Sequence, residues 1–135
     1  MKNRLLAPVL TFLILIGYSC TKEKDSAIVG NWLNSAVYVA NGQDSPVWIT
    51  DLKFPERLSL DQNSRFQSFT DIPAGSGTYV YDRISHELKF NFEASSYFPA
   101  NTTVVKVDYL DSDRLVIISS YPDGVIHKKE YRRAD

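Results

Sequence analysis

The chain has 135 residues, 44% hydrophobic and 23% charged, with a formal net charge of −1. That length suits one domain, and that balance of apolar to charged residues excludes a disordered polypeptide. Near-neutral charge, with no uninterrupted basic run, leaves nothing to neutralise phosphates, so nucleic acid is not an expected partner.

The N-terminus has three parts. Lys2 and Arg4 make a positive end, Leu5–Ile16 is apolar apart from Pro8 and Thr11, and Gly17-Tyr18-Ser19-Cys20 precedes a polar run. The apolar stretch is shorter than the ~20 helical residues needed to cross a ~30 Å bilayer core. It reads as an export signal that is removed, which leaves the mature chain more acidic. Cys20 is the one cysteine, so no internal disulfide can form and the fold must rest on its core.

Ser19-Cys20 at the end of that signal resembles a lipobox, the lipidation site of bacterial lipoproteins. Gly17 and Tyr18 depart from the usual pattern and resemble the relaxed boxes of Bacteroidetes lipoproteins. The resemblance implies that residues 1–19 are a signal peptide, that Cys20 carries a covalent lipid, and that residues 20–27 are the lipidated cysteine and its tether. Two or three acyl chains, at ~0.8 kcal/mol per buried methylene, make an essentially permanent anchor. Thr21 replaces the Asp that retains enteric lipoproteins at the inner membrane, so the expected location is the outer membrane. Lys22-Glu23-Lys24-Asp25 resembles a surface-export signal and serves equally as a solvated tether, so periplasmic and surface sides both stay open. Asp25-Ser26-Ala27 resembles the O-glycosylation motif of the same bacteria.

Beyond the tether the chain reads as consecutive short strands, in keeping with its eight Tyr, seven Phe and two Trp. Ile28–Val39 is long enough for one strand or a bent pair. Arg57–Asp61, Leu88–Phe92 and Val105–Tyr109 alternate apolar and polar, as strands with one buried face require. Thr78–Asp82 and Leu115–Ile118 are dominated by β-branched and aromatic residues. Residues 61–64, 82–85, 111–113 and 121–124 carry hairpin chemistry. No window sustains a helical apolar period. Short connections demand antiparallel neighbours, and eight or nine strands in a meander hide their edges by closing. The expected fold is therefore all-β, a small antiparallel up-and-down barrel of about eight strands. An immunoglobulin-like sandwich is the competitor, but its Cys…Trp…Cys framework is absent.

The order of these elements resembles the lipocalin-like domain of Bacteroidetes lipoproteins. Gly30-Asn31-Trp32 matches the Gly-x-Trp of the first strand, followed by Leu58-Ser59-Leu60, Asn63-Ser64-Arg65-Phe66 and Gly77-Thr78-Tyr79. Tyr131-Arg132 resembles the closing strand. The likeness spans residues 28–133 and implies a lipocalin-like barrel domain over residues 28–135. It also implies that Gly30, Trp32 and Arg132 form a structural plug, with the basic residue over the indole. The middle motif of the family has no match, and the domain is short, which leaves little room for a large cavity.

Residues able to do chemistry are sparse. His86 and His127 lack partners at metal-ligand spacing, and Asp111-Ser112-Asp113 lacks the rest of a calcium loop, so no metal or other cofactor is expected. No Gly-x-Ser-x-Gly elbow or phosphate-cradling loop appears, and an enzyme is not expected. Lys128-Lys129 and Arg132-Arg133 read as a solvated strand face. Two aromatic loops stand out, one carrying Trp48 and the other Tyr97 and Phe98. They would rim a mouth for a small apolar or amphipathic ligand, or else pack as local cores.

Two functions remain open. One is a binding protein at the cell envelope. The other is an interaction or structural module with a filled barrel that contacts an envelope protein partner. Phe66, Tyr79, Tyr81, Phe90, Phe92 and Tyr109 are the bulky residues that would fill it.

Overall fold

In the computed structural model of the chain, residues 27–40, 45–69, 75–96, 98–120 and 124–134 are described. Residues 1–19, where a signal peptide is expected, Cys20, Ser26 and Tyr97 lie outside them. All regular structure among the described residues is β. The strands are β1 (Gly30–Ala40), β2 (Val47–Ile49), β3 (Arg57–Leu60), β4 (Arg65–Phe69), β5 (Ser76–Asp82), β6 (Glu87–Phe92), β7 (Asn101–Leu110), β8 (Arg114–Ser120) and β9 (Ile126–Arg133).

From β3 to β9 each strand pairs antiparallel with the next. β1 closes the circle, meeting β3 through Gly30–Leu33 and β9 through Trp32–Ala40. The result is a closed eight-strand antiparallel barrel with β2 as an extra strand on the far half of β1. This is the expected architecture. Closure leaves the barrel wall without a free edge.

Alternation sets the interior. Leu58 and Leu60, Phe66, Tyr79, Leu88 and Phe90, Val105 and Val107, Leu115 and Ile117, and Tyr131 are buried. They form one cluster with Trp32 and Ile28. The rings of Phe66, Phe90 and Phe92 meet edge to face or tilted, with centroids 4.8–6.3 Å apart. Gly77 is needed where β5 meets β6, because a Cβ there would lie 2.0 Å from the Asn91 carbonyl oxygen.

Two bulges break the alternation. On β1 the register with β9 slips between Asn34 and Ala36, leaving Ser35 as the extra residue. The buried Asn34 amide donates to the carbonyls of Ala36 and Glu130, which supports the kink. On β7 the slip falls between Val107 and Tyr109. Tyr109 is thereby turned outward, 46% exposed, while Leu110 packs against the core. The expectation that Tyr109 fills the interior is corrected by that bulge.

One end is shut. The tight turns after β3, β5 and β7 gather there with residues 27–29. Asp61, Asp82 and Asp111 each accept backbone N–H bonds within their turns. Those of Ile84 and Ser85 hold the Asp82 carboxyl below its ordinary range, and those of Asp113 and Arg114, with the Tyr109 hydroxyl, do so for Asp111. The Trp32 indole fills the end and donates to the Ile28 carbonyl at 2.9 Å.

The cation over Trp32 is Arg133, with its guanidinium carbon 4.4 Å from the ring centroid. Arg132, which the family likeness put in that place, points outward and pairs with Glu130 at 2.9 Å. The reason is register. Arg133 lies opposite Trp32 and shares its inward phase, and Arg132 lies opposite Leu33. Gly30 does allow close approach here, since a Cβ at that position would collide with the Arg133 guanidinium.

Candidate functional site

The opposite end of the barrel is built differently. Residues 50–56, the start of the β6–β7 connection at 93–96 and the approach to β9 at 124–125 lie at that end. The inward phase of the strands turns polar as they approach it. Glu56 continues the phase of Leu58 and Leu60, Ser68 that of Phe66, Thr103 that of Val105, Ser119 that of Ile117, and Lys129 that of Tyr131. These residues enclose a cup of about 230 Å³ whose apolar wall is Phe66, Phe90 and Phe92.

Glu56 organises the polar part. One carboxylate oxygen accepts from the Lys129 ammonium at 2.6 Å. The other accepts from the Tyr131 hydroxyl at 3.0 Å and, at 3.5 Å, from Ser68. The Glu56 side chain is 18% exposed and that of Lys129 41%, so the acid sits deeper than the base. Burial first, then the neighbouring Glu56 charge, pushes the Tyr131 hydroxyl well above its ordinary value. Tyr131 therefore stays a neutral donor at any physiological pH.

Lys129 corrects the reading of the basic stretch as a solvated face. Lys128 does face outward and pairs with Asp108 at 3.0 Å, as Arg132 does with Glu130. Lys129 and Arg133, on the alternate phase, serve the cup and the plug. His86 is exposed, but it belongs to a turn and has φ +56°, while His127 is half-buried on β9. Among the described residues no three His, Cys, Asp or Glu side chains group as metal ligands.

The aromatic loop residues fall elsewhere. Trp48 belongs to β2, lies opposite Tyr38 and tilts against its ring with centroids 5.1 Å apart. It is 47% exposed. Phe98 is exposed too, in a turn closed by paired bonds with Ser95. Neither lines the cup, so the structure does not join them in the mouth expected of them. Tyr97 lies outside the described residues. The aromatic wall of the cup was among the residues expected inside, but its polar residues escaped the sequence reading although a signal was present: polar side chains on the inward phase of strands.

Larger hollows are also found among the described residues. One, of about 470 Å³, lies against Leu33, Arg57 and Phe69, whose paired positions share the outer face of β1, β3 and β4. Another, of about 330 Å³, lies at the shut end beside Ala27, His86 and Tyr109. Size alone would favour them. The cup is the better candidate because its lining converges from the inner faces of the strands and includes a largely buried acid paired with a lysine. No protein-family model, curated protein or solved structure matches the chain.

Proposed function

We propose that the protein is a non-enzymatic, lipid-anchored binding protein of the cell envelope, lipocalin-like in kind, that holds a small apolar or amphipathic molecule in this cup. The observation that carries the reading is the change of lining along the barrel. Below, Trp32, Leu60 and Leu88 are fully buried. Above, five polar side chains and a hollow replace them. A barrel selected only to be filled gains nothing from turning Glu56 and Lys129 inward, since partial desolvation of charge costs free energy. Lipidation of Cys20 at the outer membrane accounts for the one cysteine and for the export signal before it.

The second reading is a filled module that docks an envelope protein. It is favoured by β2, where Val47, Trp48 and Ile49 are all about half exposed and pair on one side with β1. Native mass spectrometry of the full lipidated chain, taken from its own envelope, separates the two. A co-purifying small molecule lost on denaturation is expected. A bare mass, with a protein partner recovered by cross-linking on whole cells, would replace the binding reading with the module.

A further inference from the structure

The charges in the cup restrict what it can hold. Both oxygens of Glu56 are already engaged, one by Lys129 and the other by Tyr131 and Ser68. A cationic ligand would meet a carboxylate whose roughly four acceptor sites are mostly taken, with the Lys129 charge repelling it alongside. An anionic ligand would face the opposite difficulty. The single ammonium already balances Glu56, so a second carboxylate would leave unmatched negative charge in a partly desolvated space. Electrostatics therefore favours a ligand with no net charge.

Of the polar groups that remain, the Lys129 ammonium can only donate, while the hydroxyls of the lining can donate or accept. Lys129 has three N–H groups and places one on Glu56. The Thr103 and Ser119 hydroxyls stand in the same lining and can donate as well. The aromatic wall begins beside Thr103, whose cross-strand partner is Phe90, and the Phe66 and Phe92 rings stand 4.8 Å apart in an edge-on arrangement. A volume of about 230 Å³ lies below the ~300 Å³ at which pockets for drug-sized ligands begin, so a long acyl chain does not fit inside.

We infer that the cup takes an uncharged molecule with an apolar body of about one ring and a carbonyl-type acceptor, which Lys129 binds while the body lies against Phe66, Phe90 and Phe92. This rests on the binding reading above and narrows it to a ligand class. Lys129 then has two roles: it neutralises Glu56 and it orients the acceptor.

Four probes with one shared body test this on the full chain by titration calorimetry. Methyl phenylacetate carries the acceptor, phenylacetate an anion, phenethylammonium a cation, and ethylbenzene no polar group. The ester is expected to bind at least about tenfold more tightly than each of the others, as one charge-assisted hydrogen bond allows. The double variant Glu56→Gln with Lys129→Met, which strands no charge, should reduce the ester to the level of ethylbenzene. Should that variant fail to fold, Thr103→Val with Ser119→Ala should narrow the same gap. Tightest binding by phenylacetate or phenethylammonium would overturn the ligand class and leave the cup as the site. Equal binding of ester and ethylbenzene would also overturn the class. Failure of all four probes, or ester binding that survives a Thr103→Trp block, would overturn the cup itself.

Discussion

Arg133 covers the indole of Trp32 and at the same time donates to the carbonyls of Val29 and Ala27, each at 2.9 Å. One side chain thus fastens the residues before β1 to the last strand and caps the shut end. A cation over an indole contributes ~0.5–2 kcal/mol, and the carbonyl bonds add to it. Arg133→Ala should therefore cost about 2–4 kcal/mol in urea unfolding, whereas Arg132→Ala, which removes an exposed arginine from a Glu130 that keeps Arg114, should stay within ~0.5 kcal/mol. Equal losses would mean that the plug does not depend on the cation.

Tyr131 should control the alkaline limit of the fold. Its hydroxyl ionises far less readily in the folded chain than in the unfolded one, where the ordinary value is 10.0. A pKa raised by folding leaves stability intact below the unfolded value and erodes it as pH rises beyond. Thermal melts should therefore fall above about pH 10, by up to ~1.4 kcal/mol per pH unit for this one group. Tyr79, raised chiefly by burial, adds in the same direction. Tyr131→Phe should be less stable than wild type at pH 7 by ~1–3 kcal/mol, through loss of the bond to Glu56, yet show a flatter alkaline slope. A slope unchanged in the variant would remove Tyr131 from the account.

At the acid limit the turns matter. Asp111 is held below its ordinary range by the N–H groups of Asp113 and Arg114 and by the Tyr109 hydroxyl. A depressed carboxyl contributes stability above its unfolded value and loses it as pH falls through the folded one. Asp111→Ala should lower the melting temperature at pH 7, and the gap from wild type should close as pH drops below about 4. Scanning calorimetry at a series of pH values reads this directly. A gap that persists at pH 2 would point to steric disruption of the turn instead.

Two glycines should respond differently to a methyl group. Gly77→Ala puts a Cβ 2.0 Å from the backbone oxygen of Asn91, and backbone cannot move aside cheaply. Gly124→Ala meets nothing within 4 Å and bears only the strain of φ +84°. The first should cost about 2–3 kcal/mol or prevent folding, and the second about 1 kcal/mol. Reversed order in chemical denaturation would show that β5 and β6 can separate locally.

The strands and their closure were legible because alternation such as Leu88-Lys89-Phe90-Asn91-Phe92 has one physical meaning. The inward set was legible only between bulges. At Asp108 and Ser35 an added residue inverts the phase, which is why Tyr109 faces out although Val105 and Val107 face in. Nothing in the local composition marks either bulge. The exchange of Arg132 for Arg133 has the same origin, since two adjacent arginines differ only in phase. Glu56 was missed for another reason. It lies outside a regular strand, and a lone acid ahead of Arg57 reads as a loop residue until the barrel gives it an inside.

The pairing of β1 with β9 has a temporal consequence. Trp32, near the beginning of the described chain, gains its cover from a residue about a hundred positions later; the bond from Arg133 to Val29 spans 104 residues. Contacts of such separation form late, because a long loop must close before they exist. Synthesis delivers β9 after the other strands of the barrel, so the ring stays open until all of them have emerged. A chain shortened by its last strand would leave Trp32 and the inner edge of β1 facing water, ready to pair with another unfinished copy. The final eight residues of β9 act as the clasp of the barrel.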